Sequence, residues 1–466
     1  MRSIYQYFES AVVISSSDQT AKKMLVVGLG VTGWSVVRFL AKQGMHVLVN
    51  DSRDIAPYSG SLRQRYPDIP RYLGGFNQRL FDEADEIVVS PGVSLDIPEI
   101  KAARDAGKPV IGDIELFCRY AKAPIAAITG SNGKTTVTAL LGEMAAAADV
   151  NTAVGGNIGT PALDLLDSDP ELYILELSSF QLDLTTSLKT KTAVVLNVSA
   201  DHMDRHASLR SYAETKFRIY NDCLHPVVNN DFFAKAQTLL PSTAEKLSTS
   251  AINYSLAQPV FDVDFGIKEK FGKAYLARGR KALMPASELV IKGEHNMSNA
   301  LAALAMGSAL GFSEESMVAA LRNFAGLPHR CERVAIVDDI TFVNDSKGTN
   351  VGASITAIRS TDGPVVLIAG GDAKGADLSP LRDAAKDKVR AVITLGKDAA
   401  LIEELLDGVV ETLRVGSMSE AVREAFVHSE PGDTVLLSPA CSSLDMFKNY
   451  EERGHAFVRA VQGFDR

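Results

Sequence analysis

Lys134 and Thr135 lie near the end of the stretch Ala127-Ile-Thr-Gly-Ser-Asn-Gly-Lys-Thr-Thr136, in which an apolar run enters a glycine-rich turn and a helix follows. The backbone N–H groups of such a turn converge on one point, and the helix N-terminus adds its positive dipole end. This arrangement suits the β- and γ-phosphates of a nucleotide, with Lys134 as a point charge and Thr135 as a Mg2+ ligand. The usual phosphate-loop pattern has a glycine at the position held here by Ile128; the earlier glycine of this chain, Gly130, lies closer to Gly133. The shortened loop argues against a generic ATPase or GTPase and for a narrower family.

Further along, Glu176 ends the apolar run that begins at Leu172. A carboxylate at the carboxyl end of a parallel strand can hold Mg2+ opposite Thr135 as a hard oxygen ligand. A helix-capping or surface glutamate is the plainer alternative. Asp201-His-Met-Asp-Arg-His206 follows the next apolar run, which places His202 as a candidate beside the metal and phosphates. Lys216, taken alone, reads as a solvated helix lysine. Asn299, near the start of an alanine-rich helix, fits a cap or a nucleotide contact equally. Arg330 falls at a domain boundary, from which a guanidinium can reach a phosphate across a cleft.

Gly28-Leu-Gly-Val-Thr-Gly33 matches GxGxxG between a strand and a helix, and Asp51 ends the following strand. The pattern provides a pyrophosphate site and a carboxylate for a ribose or base edge. NAD would use it, and so would a UDP-sugar; the second phosphate loop at 130–136 favours UDP. Three polar loops, 344–350, 370–375 and 438–445, suit capture of a small anionic substrate. Cys441 has no base placed beside it by sequence, which leaves a nucleophile role unsupported.

These groups need strand ends to carry them. Aliphatic runs enter glycine turns at 24–30, 125–130 and 365–371, as strands buried on both faces of parallel sheets do. Each heads a long α/β block, giving domains at 1–112, 113–326 and 327–466. Residues 250–292 alternate polar and apolar and read as an antiparallel excursion at a sheet edge. A net charge of −9 argues against nucleic acid or an anionic membrane as a bulk partner. The four cysteines, Cys118, Cys223, Cys331 and Cys441, have no metal-binding or disulfide spacing. No apolar run reaches the roughly 20 residues of a membrane span. Residues 1–22 read as a loosely ordered extension, and the chain as cytoplasmic.

Together TGSNGKTT (129–136), GGNIG (155–159), ELSSFQL (176–182), DHMDR (201–205), HNMSNALAA (295–303), LPHR (327–330), DSKGTN (345–350), GGDAKG (370–375) and SPACSSLDMFKNYEERG (438–454) closely resemble the Mur ligases of peptidoglycan synthesis. The shortened phosphate loop is similar to that family's form, and DSKGTN resembles the D-glutamate-adding branch. Gly348, Tyr450 and His206 depart from it, standing where alanine, phenylalanine and an aromatic residue are common. The segment 202–216 is slightly shortened.

The resemblance implies three α/β domains: a Rossmann-like N-terminal domain, a central P-loop-type ATPase domain and a Rossmann-like C-terminal domain. It implies a ligase that uses ATP to join D-glutamate to UDP-N-acetylmuramoyl-L-alanine through an acyl phosphate. It further implies ATP held by Gly130, Ser131, Asn132, Gly133, Lys134, Thr135, Thr136, Asn299, Arg330 and Asp345. Thr135 and Glu176 would hold one Mg2+, and His202 and Lys216 a second, with Lys216 carbamylated by CO2 because an ammonium cannot ligate a cation. Lys134, Glu176, His202 and Lys216 form the implied catalytic set. The UDP substrate would meet Val31, Thr32, Asp51, Ser52, Arg53, Gly92, Asn157 and His202. D-glutamate would meet Lys347, Thr349, Lys374, Ser443, Leu444 and Tyr450. A monomer that binds no nucleic acid and does not insert into a membrane is expected.

Overall fold

The computed structural model describes residues 22–199, 201, 203, 205–247 and 251–465. The expected N-terminal extension therefore lies, apart from Lys22, outside the described residues, as does His202. Two compact units divide the chain after Asp113.

The first unit holds a five-stranded parallel sheet of β1 (Lys23–Val27), β2 (His46–Asp51), β3 (Arg71–Leu73), β4 (Glu86–Val89) and β5 (Val110–Ile111), in spatial order 3-2-1-4-5. The order reverses beside β1, and ligands of doubly wound sheets bind at such a switch point. The glycine turn leaves β1 there and opens the helix Val31–Lys42, which buries Trp34, Val37 and Leu40. A Cβ on Gly33 would stand 1.8 Å from the Gly28 carbonyl oxygen. Only glycine lets the helix approach its strand so closely.

The second unit carries two sheets. The larger comprises β6 (Ile125–Thr129), β7 (Thr152–Gly156), β8 (Leu172–Glu176), β9 (Lys189–Val195), β10 (Asp222–Asn229), β11 (Ile252–Tyr254), β12 (Phe265–Lys270), β13 (Lys273–Arg278) and β14 (Lys281–Pro285), ordered 14-13-12-11-10-9-6-8-7. The edge excursion is antiparallel only for β12–β14, whereas β11 pairs parallel with β10. β6 and β8 are buried along their whole length, as their unbroken apolar sequences require. Behind them the helices Lys134–Ala147 and Glu294–Leu310 pack together, and Leu140, Leu141, Leu301 and Leu304 belong to one buried cluster. Each such leucine contributes about 2 kcal/mol by burial.

The other sheet comprises β15 (Glu332–Val337), β16 (Ile340–Asn344), β17 (Val365–Gly370), β18 (Val389–Leu395), β19 (Glu411–Arg414) and β20 (Thr434–Leu437), ordered 15-16-20-17-18-19. Only the β15–β16 pair is antiparallel. The loops after β16, β17 and β20 therefore emerge at one sheet edge, and they are the three polar loops picked out in the sequence.

Candidate active site

The turn after β6 reaches its helix through Gly133, whose φ of +85° an L side chain rarely adopts. A Cβ there would also meet Asn299 Oδ1 at 2.5 Å, so the turn and the start of the helix Glu294–Leu310 are in close contact. The turn is clamped from the segment just after β9: the Asn132 N–H donates to Asn197 Oδ1 at 2.9 Å, and Asn197 Nδ2 donates to the Asn132 carbonyl at 3.0 Å. Sequence reasoning missed Asn197, although an asparagine closing an apolar strand was a visible signal.

Lys134 and Lys216 donate to the same acceptor. Their Nζ atoms lie 2.9 and 3.0 Å from the Gly130 carbonyl oxygen. Lys216 is 1% exposed, with its amine 4.5 Å above the Tyr212 ring. The reading of Lys216 as a solvated lysine is thus corrected: the helix Leu209–Phe217 turns it inward against the phosphate loop. Burial, and then the charge of Lys134, push its amine well below the usual lysine range. Burial lowers Lys134 as well, against the opposing attraction of Glu176. Two crowded amines on one carbonyl make a site that gains when an anion arrives.

Thr135 Oγ1 donates to Glu176 Oε2 at 2.8 Å, and Asn157 Nδ2 donates to Glu176 Oε1 at 2.9 Å. Arg330 Nη2 donates to Thr135 Oγ1 at 2.5 Å across 195 residues of sequence. A hydroxyl and a carboxylate at this separation are hard oxygen donors that fit Mg2+. Clusters of three or more His, Cys, Asp or Glu able to hold a metal are absent among the described residues.

Beside the turn lies a cavity of about 370 Å³, bounded by Gly133 and Asn299 on one side and by Arg330, Asp345 and Lys347 on the other. Burial raises the Asp345 carboxyl to about 6, opposed by the Ser438 hydroxyl that donates to it at 2.7 Å. Lys347 sits 4.2 Å above the Tyr450 ring, and burial, then Arg330 and Lys134, lower its amine to about 8.

The three loops meet on Arg453, which lies within the 438–454 motif but was given no role there. Its buried guanidinium donates to the Ser346 hydroxyl and carbonyl at 3.1 and 2.9 Å, to the Cys441 carbonyl at 3.2 Å and to the Gly370 carbonyl at 3.5 Å. One side chain thereby fixes the loops that carry Lys347 and Thr349, Lys374, and Ser443 and Leu444. Ser443 is buried, while Leu444 and Lys374 are exposed. The Cys441 thiol is buried and pushed up to about 12, which disfavours the thiolate that a nucleophile needs.

In the first unit, Asp51 accepts the Leu29 N–H at 2.7 Å and binds Arg53 through Nε and Nη2 at 2.8 and 2.6 Å. Its carboxylate therefore braces the glycine turn and Arg53. Val31, at the turn's exit, is exposed.

Family comparisons agree with this geometry. Residues 22–112 match the Mur ligase MurD-like N-terminal domain, 128–307 the Mur ligase middle domain, and 329–441 the Mur ligase glutamate ligase domain. A UDP-N-acetylmuramoylalanine--D-glutamate ligase of Pseudomonas fluorescens is 50% identical over 94% of this chain and 97% of its own. The chain belongs to the Mur ligase family. The enzyme of the same name from Nitrosococcus oceani is 48% identical over 95% of this chain and 97% of its own. Among solved structures, the UDP-N-acetylmuramate-alanine ligase MurC of Thermotoga maritima has the same fold, with a TM-score of 0.60, 18% identity and coverage of 95% and 99%. The GxGxxG turn lies within the match to the MurD-like N-terminal domain, which places it in a ligase rather than an oxidoreductase.

Two of the departures from the Mur ligase pattern have visible causes. His206 behaves as an aromatic ring: it stacks on Phe180 at 5.8 Å with planes 3° apart, and its Nε2 lies 3.0 Å from Ser179 Oγ. A Cβ on Gly348 would stand 2.5 Å from Asp345 Oδ2 and 2.7 Å from Ser438 Oγ, so glycine lets this loop close over that hydrogen bond.

Proposed function

We propose that this Mur ligase uses ATP to join D-glutamate to UDP-N-acetylmuramoyl-L-alanine in peptidoglycan precursor synthesis. The carrying observation is a single cavity bounded at once by the phosphate loop, at Gly133, and by the DSKGTN loop, at Lys347. A carboxylate is a poor electrophile, and amide formation in water is uphill. Transfer of the γ-phosphoryl group to the L-alanyl carboxylate gives an acyl phosphate; the D-glutamate amine attacks its carbonyl, and phosphate leaves. Most of the work is placement and charge neutralisation.

In this reading residues 1–112 bind the nucleotide sugar through Val31, Thr32, Ser52, Arg53 and Gly92, with Asp51 holding the turn and Arg53. Residues 113–326 bind ATP at 130–136, with Asn299 beside the cavity and Asn157 contributing to the acceptor carboxylate. Residues 327–466 supply Arg330 and Asp345 to the nucleotide. Lys347, Thr349, Lys374, Ser443, Leu444 and Tyr450 hold D-glutamate, with the lysines pairing its carboxylates. Mg2+ neutralises phosphate charge when bound by Thr135 and Glu176. His202 and a carbamylated Lys216 would hold a second ion; burial favours the neutral amine of Lys216, the form that CO2 modifies. The enzyme works as a cytoplasmic monomer; no described helix is long and apolar enough to cross a membrane.

The test is phosphate release from ATP with UDP-N-acetylmuramoyl-L-alanine and four acceptors. D-glutamate should support turnover at least about a hundredfold above L-glutamate, L-lysine or diaminopimelate, since misplaced carboxylates leave buried cations unpaired. Faster turnover with another acceptor would reassign the C-terminal loops. Arg453→Met should raise KM for D-glutamate and destabilise the fold by about 2–4 kcal/mol, because buried carbonyls lose their donor. An unchanged D-glutamate KM would show that the loops are held without this guanidinium.

A further inference from the structure

Asn350 ends the DSKGTN loop and begins the helix Val351–Ser360. Its Oδ1 accepts the Ala353 N–H at 2.9 Å, the ordinary bond of an asparagine cap. The same amide also makes bonds that capping does not require. Its Nδ2 donates to Asn132 Oδ1 at 3.3 Å, in the phosphate loop, and to Asp201 Oδ2 at 3.2 Å, beyond the end of β9. Asn132 is a firm anchor, because Asn197 grips both its N–H and its carbonyl.

The helix that Asn350 starts is a wall of the nucleotide cavity, which Gly352, Ala353, Thr356 and Ala357 line. Its far end is tied as well: Ser360 Oγ lies 2.9 Å from His295 Nδ1, at the beginning of the helix Glu294–Leu310. Serine, aspartate and asparagine all cap helices well. Only asparagine among them offers an acceptor to its own helix and two N–H donors to an amide oxygen and a carboxylate in loops that follow strands of the larger sheet.

We propose that Asn350 is a positioning residue for the ligation, coupling the loop that seats the amino acid to the loop that holds the phosphates. It touches no substrate in this account. Its side chain sets the distance between the attacking amine, held by neighbouring Lys347 and Thr349, and the activated carboxylate. The inference rests on the assignment of ATP and D-glutamate to these two loops.

Asn350→Asp keeps the cap but turns a carboxylate toward Asp201, and Asn350→Ser keeps a cap too short to bridge. Both should fold with near-wild-type melting and lose about 10- to 30-fold in kcat, with KM for the nucleotide sugar unchanged. The decisive arm adds Asp201→Asn to Asn350→Asp, which restores a donor–acceptor pair with exchanged roles. The double variant should then exceed the product of the two single effects on kcat by about tenfold. Additive effects, or an Asn350→Asp enzyme with wild-type kcat, would overturn the proposal. In hydrogen exchange with a non-hydrolysable ATP analogue, Asn350→Ser should expose the amides of 130–136, and unchanged protection would also overturn it. Should the wild-type enzyme form no amide with D-glutamate, the functional assignment fails, while the exchange measurement still decides the coupling of the loops.

Discussion

Replacing Lys216 with alanine is expected to lower kcat by about a thousandfold or more, roughly 4 kcal/mol of transition-state stabilisation. High bicarbonate or a short-chain carboxylic acid should restore part of the activity. The amine is 1% exposed, and its hydrogen bonds run to Gly130 and Thr129 oxygens. Burial and the Lys134 charge both favour its neutral form, so the population able to attack CO2 at neutral pH is larger than for an exposed lysine. Attack forms a C–N bond and releases one proton, turning a would-be cation into an anionic oxygen donor beside the phosphate loop. Lys216→Arg is the control: it fills the space and keeps a positive charge, but cannot be carbamylated, so it should be inactive and resist rescue. Wild-type turnover in unrescued Lys216→Ala would remove the carbamate from the account.

What could be read without coordinates was whatever is local. The phosphate loop, its Lys134 and Thr135, and the strand-end position of Glu176 depend on residues adjacent in sequence, and the structure brings Thr135 and Glu176 to 2.8 Å. Lys216 was legible only through the resemblance, because its own surroundings point the other way. Arg210, Glu214 and Arg218 around it are exposed, so its helix looks solvated, and only the packing of that helix on the phosphate loop buries the one lysine. Asn197, Asn350 and Arg453 share this property. Arg453 acts on Ser346 across 107 residues and Asn350 on Asn132 across 218, separations at which spacing carries no signal. The short strand β11 misled the edge reading because three residues show no period, and its parallel pairing with β10 is set by its neighbours.

A common logic connects these residues. The triphosphate, the acceptor carboxylate and D-glutamate are all anions, so the protein must offer cations before any of them arrives. It does so with half-buried amines and guanidinium groups that have no bonded carboxylate among the described residues: Lys134 on Gly130, Arg330 on Thr135, and Lys347 over Tyr450. Each is costly in the free enzyme and relieved by ligand, which converts binding energy into placement.

Lys134→Ala follows from that logic as the most selective lesion. Lys134 is the member of the set that opens the phosphate helix, with its amine on the Gly130 and Ser131 carbonyls. Removing it should lower ADP formation by about a thousandfold or more, since a preorganised cation at a transferring phosphoryl group is worth several kcal/mol. Affinity for UDP-N-acetylmuramoyl-L-alanine should change by no more than about threefold, because the uridine diphosphate is assigned to the first unit, whose Asp51–Arg53 brace is internal to it. Loss of the Lys134 charge also removes the second cause of the lowered Lys216 amine, so Lys216 should titrate higher in the variant. Isothermal titration with the nucleotide sugar and a phosphate-release assay separate the two outcomes. If both binding and phosphate release fell together, the nucleotide sugar and ATP would share one site, and the assignment of two phosphate-binding turns to two ligands would be wrong.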